Sequence, residues 1–360
     1  MGGRIVKTRL SNLRKLMREK DIEAFVIYKF VNVTYITGFT GDDSVALITD
    51  DAAIFITDGR YTEQAQKEVK DFEIVEHKTG IKDVLKEYIK KLGIKRLAFE
   101  ENVTYGQYRE LKEALEGVEL IPQAGLVESL RMVKDEEEIN LIKKAQSITD
   151  RAFEHILNFI RPGMTEKEVA LELEYFMKKN GAEDLAFDTI VASGKRSSLP
   201  HGKASDKVIE KGDFVTIDFG CKVSGYCSDM TRTIVVGKAS EKQKEIYNVV
   251  LEAQQNALKN LKAGITSKEA DYLARSVIEE KGYGPYFSHS LGHGVGLEVH
   301  EGPSLTFRKE EILKEGSIVT VEPGIYIPDF GGVRIEDMVL LKEDGVINLT
   351  NSPKHLIEIN

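Results

Sequence analysis

The chain has 360 residues, with 50 Lys and Arg against 59 Asp and Glu, and a formal net charge of −9. Hydrophobic residues at 41% and charged residues at 30% exclude a disordered or fibrous chain. The acidic excess argues against a nucleic-acid surface, and no run approaches the roughly 18 apolar residues of a membrane span. A chain of this size buries about three quarters of its unfolded surface and divides into two domains. Its first residues, MGGRIVKTRLSNLRKLMREKD, are charged throughout and lack an apolar signal core. Two cysteines cannot build a disulfide framework and suit a reducing compartment, so a soluble cytoplasmic protein without nucleic-acid or membrane partners is expected.

In chain order, Leu10, Leu13, Leu16 and Met17 recur at helical spacing, which predicts an amphipathic helix over 8–20. Short β-branched runs at 24–28, 45–49, 53–57 and 96–100 predict strands, with helical patterns at 80–92 and 104–115. The alternation indicates an α/β domain. Pro and Gly in IPQAG (121–125) punctuate its end, and VKDEEE (133–138) opens a helix running to about residue 160. The expected domains are 1–128 and 129–360.

The second part repeats itself. KGDFVTIDFG (211–220) aligns without a gap on EGSIVTVEPG (315–324), so that Asp218 falls on Glu322. Gly225 stands four residues before Asp229, as Gly332 stands four before Glu336, and RPGMTEKE (161–168) resembles KAGITSKE (262–269). Two helix-helix-strand-strand halves are expected to face each other, each supplying two carboxylates to one centre.

Those carboxylates carry the chemistry. An acid inside an apolar strand loses its hydration, a cost of several kcal/mol unless it is paired or bound to a metal. Asp218 ends FVTID, Glu322 ends IVTVE, and Asp229 and Glu336 recur in the second strand of each hairpin. Pairing with Arg334 is the structural alternative, but four acids with few cations favour divalent metal. Hard oxygen ligands suit Mn(II), Co(II) or Fe(II) better than a lone structural zinc, and bridging carboxylates hold two metals about 3.5 Å apart. Four of the seven histidines, His201, His289, His293 and His300, fall between 201 and 300, while His77, His155 and His355 are read as structural. Glycines around His293 allow close approach to a ligand, so it is a candidate nitrogen ligand. His201 and His300 precede the two acidic hairpins and could donate hydrogen bonds or protons. Strand parity puts Arg334 on the face of Glu336 and Thr231 on that of Asp229, as orienting partners. Cys221 and Cys227 lack CxxC spacing and are read as free thiols.

The set IDFG, SDMTRT, HSLGHGVGLEVHEGP, VTVEPGIYIP and GGVRIED resembles the Xaa-Pro aminopeptidase and prolidase metallopeptidases. NVTYITGFTG (32–41) and FITDGRYTEQA (55–65) are similar to the same family's N-terminal domain. The resemblance implies a creatinase-like N-terminal α/β domain followed by an α+β pita-bread catalytic domain with an internal pseudo-two-fold repeat. It implies metal ligands at Asp218, Asp229, His293, Glu322 and Glu336, with Asp229 and Glu336 bridging two ions, usually Mn(II) or Co(II), with Zn or Fe as alternatives. It implies catalytic roles for His201, His300 and Glu322, with His289 lining the pocket, and a homodimer acting on proline-containing peptides. Glu322 would pass a proton to the departing proline nitrogen. Some prolidases of this kind carry an Arg shortly after the HE pair, where a dipeptide's carboxylate could reach it. Here HEGPSLTFR has Ser304 and Leu305 after Pro303 and no cation before Arg308, which favours an aminopeptidase over the alternative, an Xaa-Pro dipeptidase. A non-catalytic pita-bread binding module, a metal-free creatine-type amidinohydrolase and a methionine aminopeptidase are weaker readings. The first two are disfavoured by the full ligand set, the third by the extra N-terminal domain.

Overall fold

The computed structural model describes residues 2–359. They divide after Arg131 into two compact units.

The first unit is an α/β layer. Helix α1 (Gly2–Glu19) leads into β1 (Ala24–Ile27), α2 (Phe30–Thr37), β2 (Ser44–Thr49), β3 (Ala53–Thr57), α3 (Thr62–Glu68) and β4 (Glu73–Glu76). After these come α4 (Ile81–Leu92), β5 (Arg96–Glu100), α5 (Tyr105–Ala114), β6 (Glu119–Gln123) and α6 (Leu126–Arg131). The strands form one sheet in the order β4-β3-β2-β1-β5-β6. Val26, Leu47, Ile56 and Leu97 pack in one core with Leu85 and Ile89 of α4 and Leu111 of α5. The IPQAG segment does not simply end the domain. Its Ile121 and Pro122 belong to β6, an edge strand, where proline's missing N–H costs no ladder bond. The boundary expected after residue 128 would cut α6, which belongs whole to the first unit.

The second unit has two similar halves. In the first, α7 (Glu136–Leu157) and α8 (Glu166–Lys179) precede β7 (Asp184–Leu185), β8 (Ile190–Ser193), β9 (Phe214–Phe219), β10 (Cys221–Val223), β11 (Tyr226–Cys227) and β12 (Met230–Val236). In the second, α9 (Glu241–Asn260) and α10 (Ser267–Glu280) precede β13 (Gly292–Gly294), β14 (Glu301–Leu305), β15 (Ile318–Val321), β16 (Gly324–Ile327), β17 (Gly331–Arg334), β18 (Asp337–Lys342) and β19 (Gly345–Asn348). A short β20 (Glu358–Ile359) returns to pair parallel with β12. The main sheets run β20-β12-β9-β8 and β14-β13-β15-β18-β19.

The repeat holds in detail. Thr165 and Thr266 cap α8 and α10 with the same reciprocal box to Glu168 and Glu269, satisfying two otherwise orphaned backbone donors at each helix start. Thr165 bridges to Val208 and Thr266 to Ile312, at equivalent points of the two motifs. Two cores form, one with Phe153, Leu173 and Val215, and one with Val250, Ala274 and Val319 that also takes in Phe214 and Val235 of the first half.

Candidate metal centre

The two hairpins aim their acids at one place. In β9 and β12, Asp218 stands opposite Thr231, and Asp229 sits immediately before β12. Glu322 follows β15 and Glu336 precedes β18. The backbone of Glu336 donates to Thr231 O at 3.1 Å, which ties the halves together at this point. One cavity of about 550 Å³ is lined by His201, Asp218, Asp229, His289, His293, His300, Glu322, Arg334 and Glu336, every site residue expected from the sequence.

Distances within the cluster fit a cation. Candidate ligand atoms of Asp229, His293 and Glu336 all lie within 4.8 Å of one another. His293 Nε2 is 3.3 Å from Glu322 Oε1 and 3.6 Å from Asp229 Oδ2. Asp218 Oδ1 is buried without a hydrogen-bond partner, an acceptor that a metal would satisfy. Burial, then repulsion from the other acids, holds Asp229 and Glu336 well above the usual carboxylate range. Burial raises Glu322 to about 8, against the pull of Arg334. Asp337 gives the contrast. It is as buried as Glu336, yet its carboxyl is lowered, because Arg232 and Lys354 lie 2.8 and 2.6 Å away and outweigh the loss of water. Adjacent acids therefore divide. The one facing cations is structural, and the one facing other acids lacks the positive charge that a divalent ion would bring.

Two expected partnerships are redirected. Arg334 does not orient Glu336. Its Nη2 donates to Asp218 at 2.7 Å, its Nε to Thr231 at 2.9 Å and its Nη1 to the Tyr326 hydroxyl at 2.8 Å. Thr231 in turn donates to Glu336 Oε2 at 2.7 Å rather than to Asp229. Parity alone could not foresee this, because the partners come from the opposite hairpin. Thr320 does for the second half what strand parity suggests, donating to Glu322 Oε1 at 3.1 Å and accepting the His293 N–H at 3.1 Å. That contact needs Gly292, since a Cβ there would lie 2.0 Å from Thr320 O.

His289 lines the cavity with both ring nitrogens engaged. Its Nδ1 lies 2.8 Å from Ser290 O, which only accepts, so Nδ1 carries the proton and Nε2 accepts from Tyr326 at 2.8 Å. Hydrogen bonds thus run Arg334 to Tyr326 to His289 to Ser290, and Gly324 leaves the space in which the Tyr326 hydroxyl sits. Burial and the nearby Arg334 push His289 down to about 4, keeping it neutral. With both nitrogens engaged it orients rather than reacts. His201 and His300 are the more open imidazoles on the cavity wall, and burial together with His293, whose ring centroid is 4.1 Å away, lowers His300 to about 4.

Sequence reasoning missed Tyr326 and also Lys134, whose ammonium is wholly buried 2.7 Å from Glu301, the residue after His300. An acid following a histidine in HE was the available signal for the second.

Comparison with known proteins agrees with this architecture. The model of metallopeptidase family M24 matches residues 140–343, and that of the creatinase/prolidase N-terminal domain matches 9–133. The chain belongs to metallopeptidase family M24. Among other family relatives, an uncharacterized peptidase of Bacillus subtilis is 52% identical over 97% of this chain and 99% of its own. The structure of an Xaa-Pro dipeptidase from Bacillus anthracis matches with a TM-score of 0.96 and 52% identity, over 98% of this chain and 99% of that one. That of an X-Pro aminopeptidase from Thermotoga maritima matches at 0.90 and 48%, over 97% and 99%. Among the described residues no helix is long and apolar enough to cross a membrane.

Proposed function

We propose that this family M24 chain is a two-metal peptidase cleaving the bond between an N-terminal residue and a following proline. The observation that carries the reading is the cluster of four acids with His293, Asp229 and Glu336 buried and Asp218 and Glu322 half-buried, in which Arg334 is the one guanidinium or ammonium in contact among the described residues. Asp218, Asp229, His293, Glu322 and Glu336 would hold two divalent ions, Mn(II) or Co(II) by family resemblance. Bound there, the metals would lower the pKa of water and polarise the scissile carbonyl. The remaining work falls to side chains. Arg334 and Thr231 fix the carboxylates of Asp218 and Glu336. His201 and His300 can donate to a developing oxyanion. Glu322 could pass a proton to the leaving nitrogen. A proline imide offers no N–H, so its ring is recognised by shape, and Phe187, Ile190 and Pro200 supply apolar cavity wall for it.

The names of relatives at 44–52% identity are mostly dipeptidase or prolidase, which favours the dipeptidase alternative, with an aminopeptidase among them. Ser304 lines the cavity where a cation would meet a dipeptide's carboxylate, and Arg308 is exposed outside the lining. That supports an aminopeptidase. Lys203 at the mouth favours the dipeptidase alternative, but it is 75% exposed and already paired with Asp188. A cytoplasmic homodimer completes the reading, supported by two free buried thiols for the compartment and by resemblance for the dimer.

The test is metal analysis with activity on Xaa-Pro peptides before and after chelation. Undiminished activity in a verified metal-free sample sinks the proposal. A preference of about tenfold, or 1.4 kcal/mol, for an Xaa-Pro dipeptide over the same dipeptide extended by two residues selects the dipeptidase.

A further inference from the structure

Helix α10 holds an ion pair outside the cavity that grips the segment leading into it. Asp271 is fully buried, and Arg275, one turn later, donates to it through Nε at 2.6 Å and Nη2 at 3.1 Å. Both partners make further hydrogen bonds, to residues 287–291, and the guanidinium also lies 4.7 Å from the Phe307 ring centroid. Arg275 donates to Phe287 O at 3.0 Å and to His289 O at 2.7 Å, while Asp271 accepts the Leu291 N–H at 2.9 Å. The guanidinium also lies over the Phe287 ring, 4.2 Å from its centroid, which leaves a planar fork little freedom to turn.

The gripped segment leads to the centre by two routes. The His289 ring accepts from Tyr326, which accepts from Arg334, which donates to Asp218. Leu291 O accepts the N–H of Glu322 at 2.9 Å, and Gly292 and His293 follow in β13. The bonds of this pair hold backbone that leads to His289 and, through Leu291, to the candidate ligands Glu322 and His293.

We propose that Asp271 and Arg275 are positioning residues of the metal centre, setting the placement of Asp218, His293 and Glu322 through the 287–291 segment. This rests on the metal-centre reading above. The test compares the whole wild-type chain with Arg275→Met and Arg275→Lys. In metal-free protein, hydrogen–deuterium exchange of peptides covering 287–293 is expected to quicken at least about tenfold in the Met variant and to leave 1–131 unchanged, as loss of local bonds implies. The Lys variant keeps the charge but not the fork, and is expected to fall between. Co(II) affinity by chelator competition is expected to weaken about tenfold or more in the Met variant, the scale for residues that orient ligands, with the Co(II) absorption spectrum altered. On an Xaa-Pro peptide kcat is expected to fall with KM nearly unchanged. Equal exchange at 287–293 in all three proteins, or unaltered Co(II) affinity and spectrum in the Met variant, overturns the proposal. If Arg275→Met does not fold, Asp271→Asn reads the same grip from its other side, with the same expected directions. If wild type binds no Co(II), the metal reading fails, and the exchange measurement alone decides whether the pair holds the segment.

Discussion

The two halves of the second unit place their acids alike and treat their histidine loops differently. In the first, the loop bearing His201 is fastened by one buried carboxylate. Glu166, at the start of α8, accepts from the backbone and hydroxyl of Ser193 at 2.7 and 2.8 Å and of Ser205 at 3.0 and 2.7 Å, and it also pairs with Arg196. His201 itself remains exposed on the cavity wall. In the second half the position equivalent to Glu166 is Ser267, and the corresponding hold moves one turn along α10 to Asp271 and Arg275. There His289 is drawn into a closed hydrogen-bond chain. One duplicated scaffold therefore yields an imidazole free to meet substrate and another committed to orienting ligands. The hairpins diverge in a smaller way. Phe219 continues β9, whereas Pro323 at the equivalent place has no N–H, so β15 stops at Val321 and Glu322 stands just past the strand end.

The equivalence of the acids is the part most open to breaking. Asp229→Ala and Glu336→Ala are each expected to abolish peptidase activity and lower bound metal, with the fold retained. Full activity with two metals in either variant would refute the shared centre. Next in size, Lys134→Met removes a wholly buried ammonium 2.7 Å from Glu301 and is expected to cost about 3–5 kcal/mol in chemical denaturation. A loss below 1 kcal/mol would mean that the His300 segment is held by other contacts. His300→Ala is expected to lower kcat about 10²-fold without changing metal content. Should metal be lost instead, His293 and His300 have exchanged roles. Glu166→Gln keeps shape but loses the charge and turns one accepting oxygen into an NH2 that faces donors, so a cost of about 1–3 kcal/mol is expected, again by denaturation.

The pH dependence of the metal-free protein sharpens the same picture. Glu322 is raised in the folded state from 4.5 to about 8, and Asp229 and Glu336 are raised as well. The folded state then binds the extra protons, so the contribution of Glu322 to stability is full below pH 4.5 and is lost as pH rises toward 8, and Asp229 and Glu336 act in the same direction. His289 works in the opposite sense. Lowered from 6.5 to about 4, it contributes fully above 6.5 and loses that contribution as pH falls through the window below. Between pH 6.5 and 8 Glu322 is still losing its contribution while the lowered histidines have largely reached theirs, so the melting temperature of metal-free protein should fall there, and added Co(II) should remove the fall by taking the protons' place. A flat profile without metal would show that the acids are neutralised by something within the chain.

Much of this protein is legible without coordinates. Alternating apolar runs give β1, β2, β3 and β5, because one strand's pattern is written in its own residues. The repeat in 211–220 and 315–324 identifies the four acids, since a carboxylate at the end of an apolar strand needs no neighbour to look out of place. Elements whose stability comes from elsewhere were not legible. Helix α2 is built from β-branched FVNVTYIT and exists by burial of Val33, Tyr35 and Ile36, and β6 carries a proline that only an edge position tolerates. The same limit governs the site. Strand parity says which residues share a face, but not which face of another hairpin meets it. That Arg334 serves Asp218, that Thr231 serves Glu336, and that Tyr326 and Arg275 belong to the arrangement at all were decided by tertiary packing, where hydrogen-bond geometry acts between residues up to 116 positions apart.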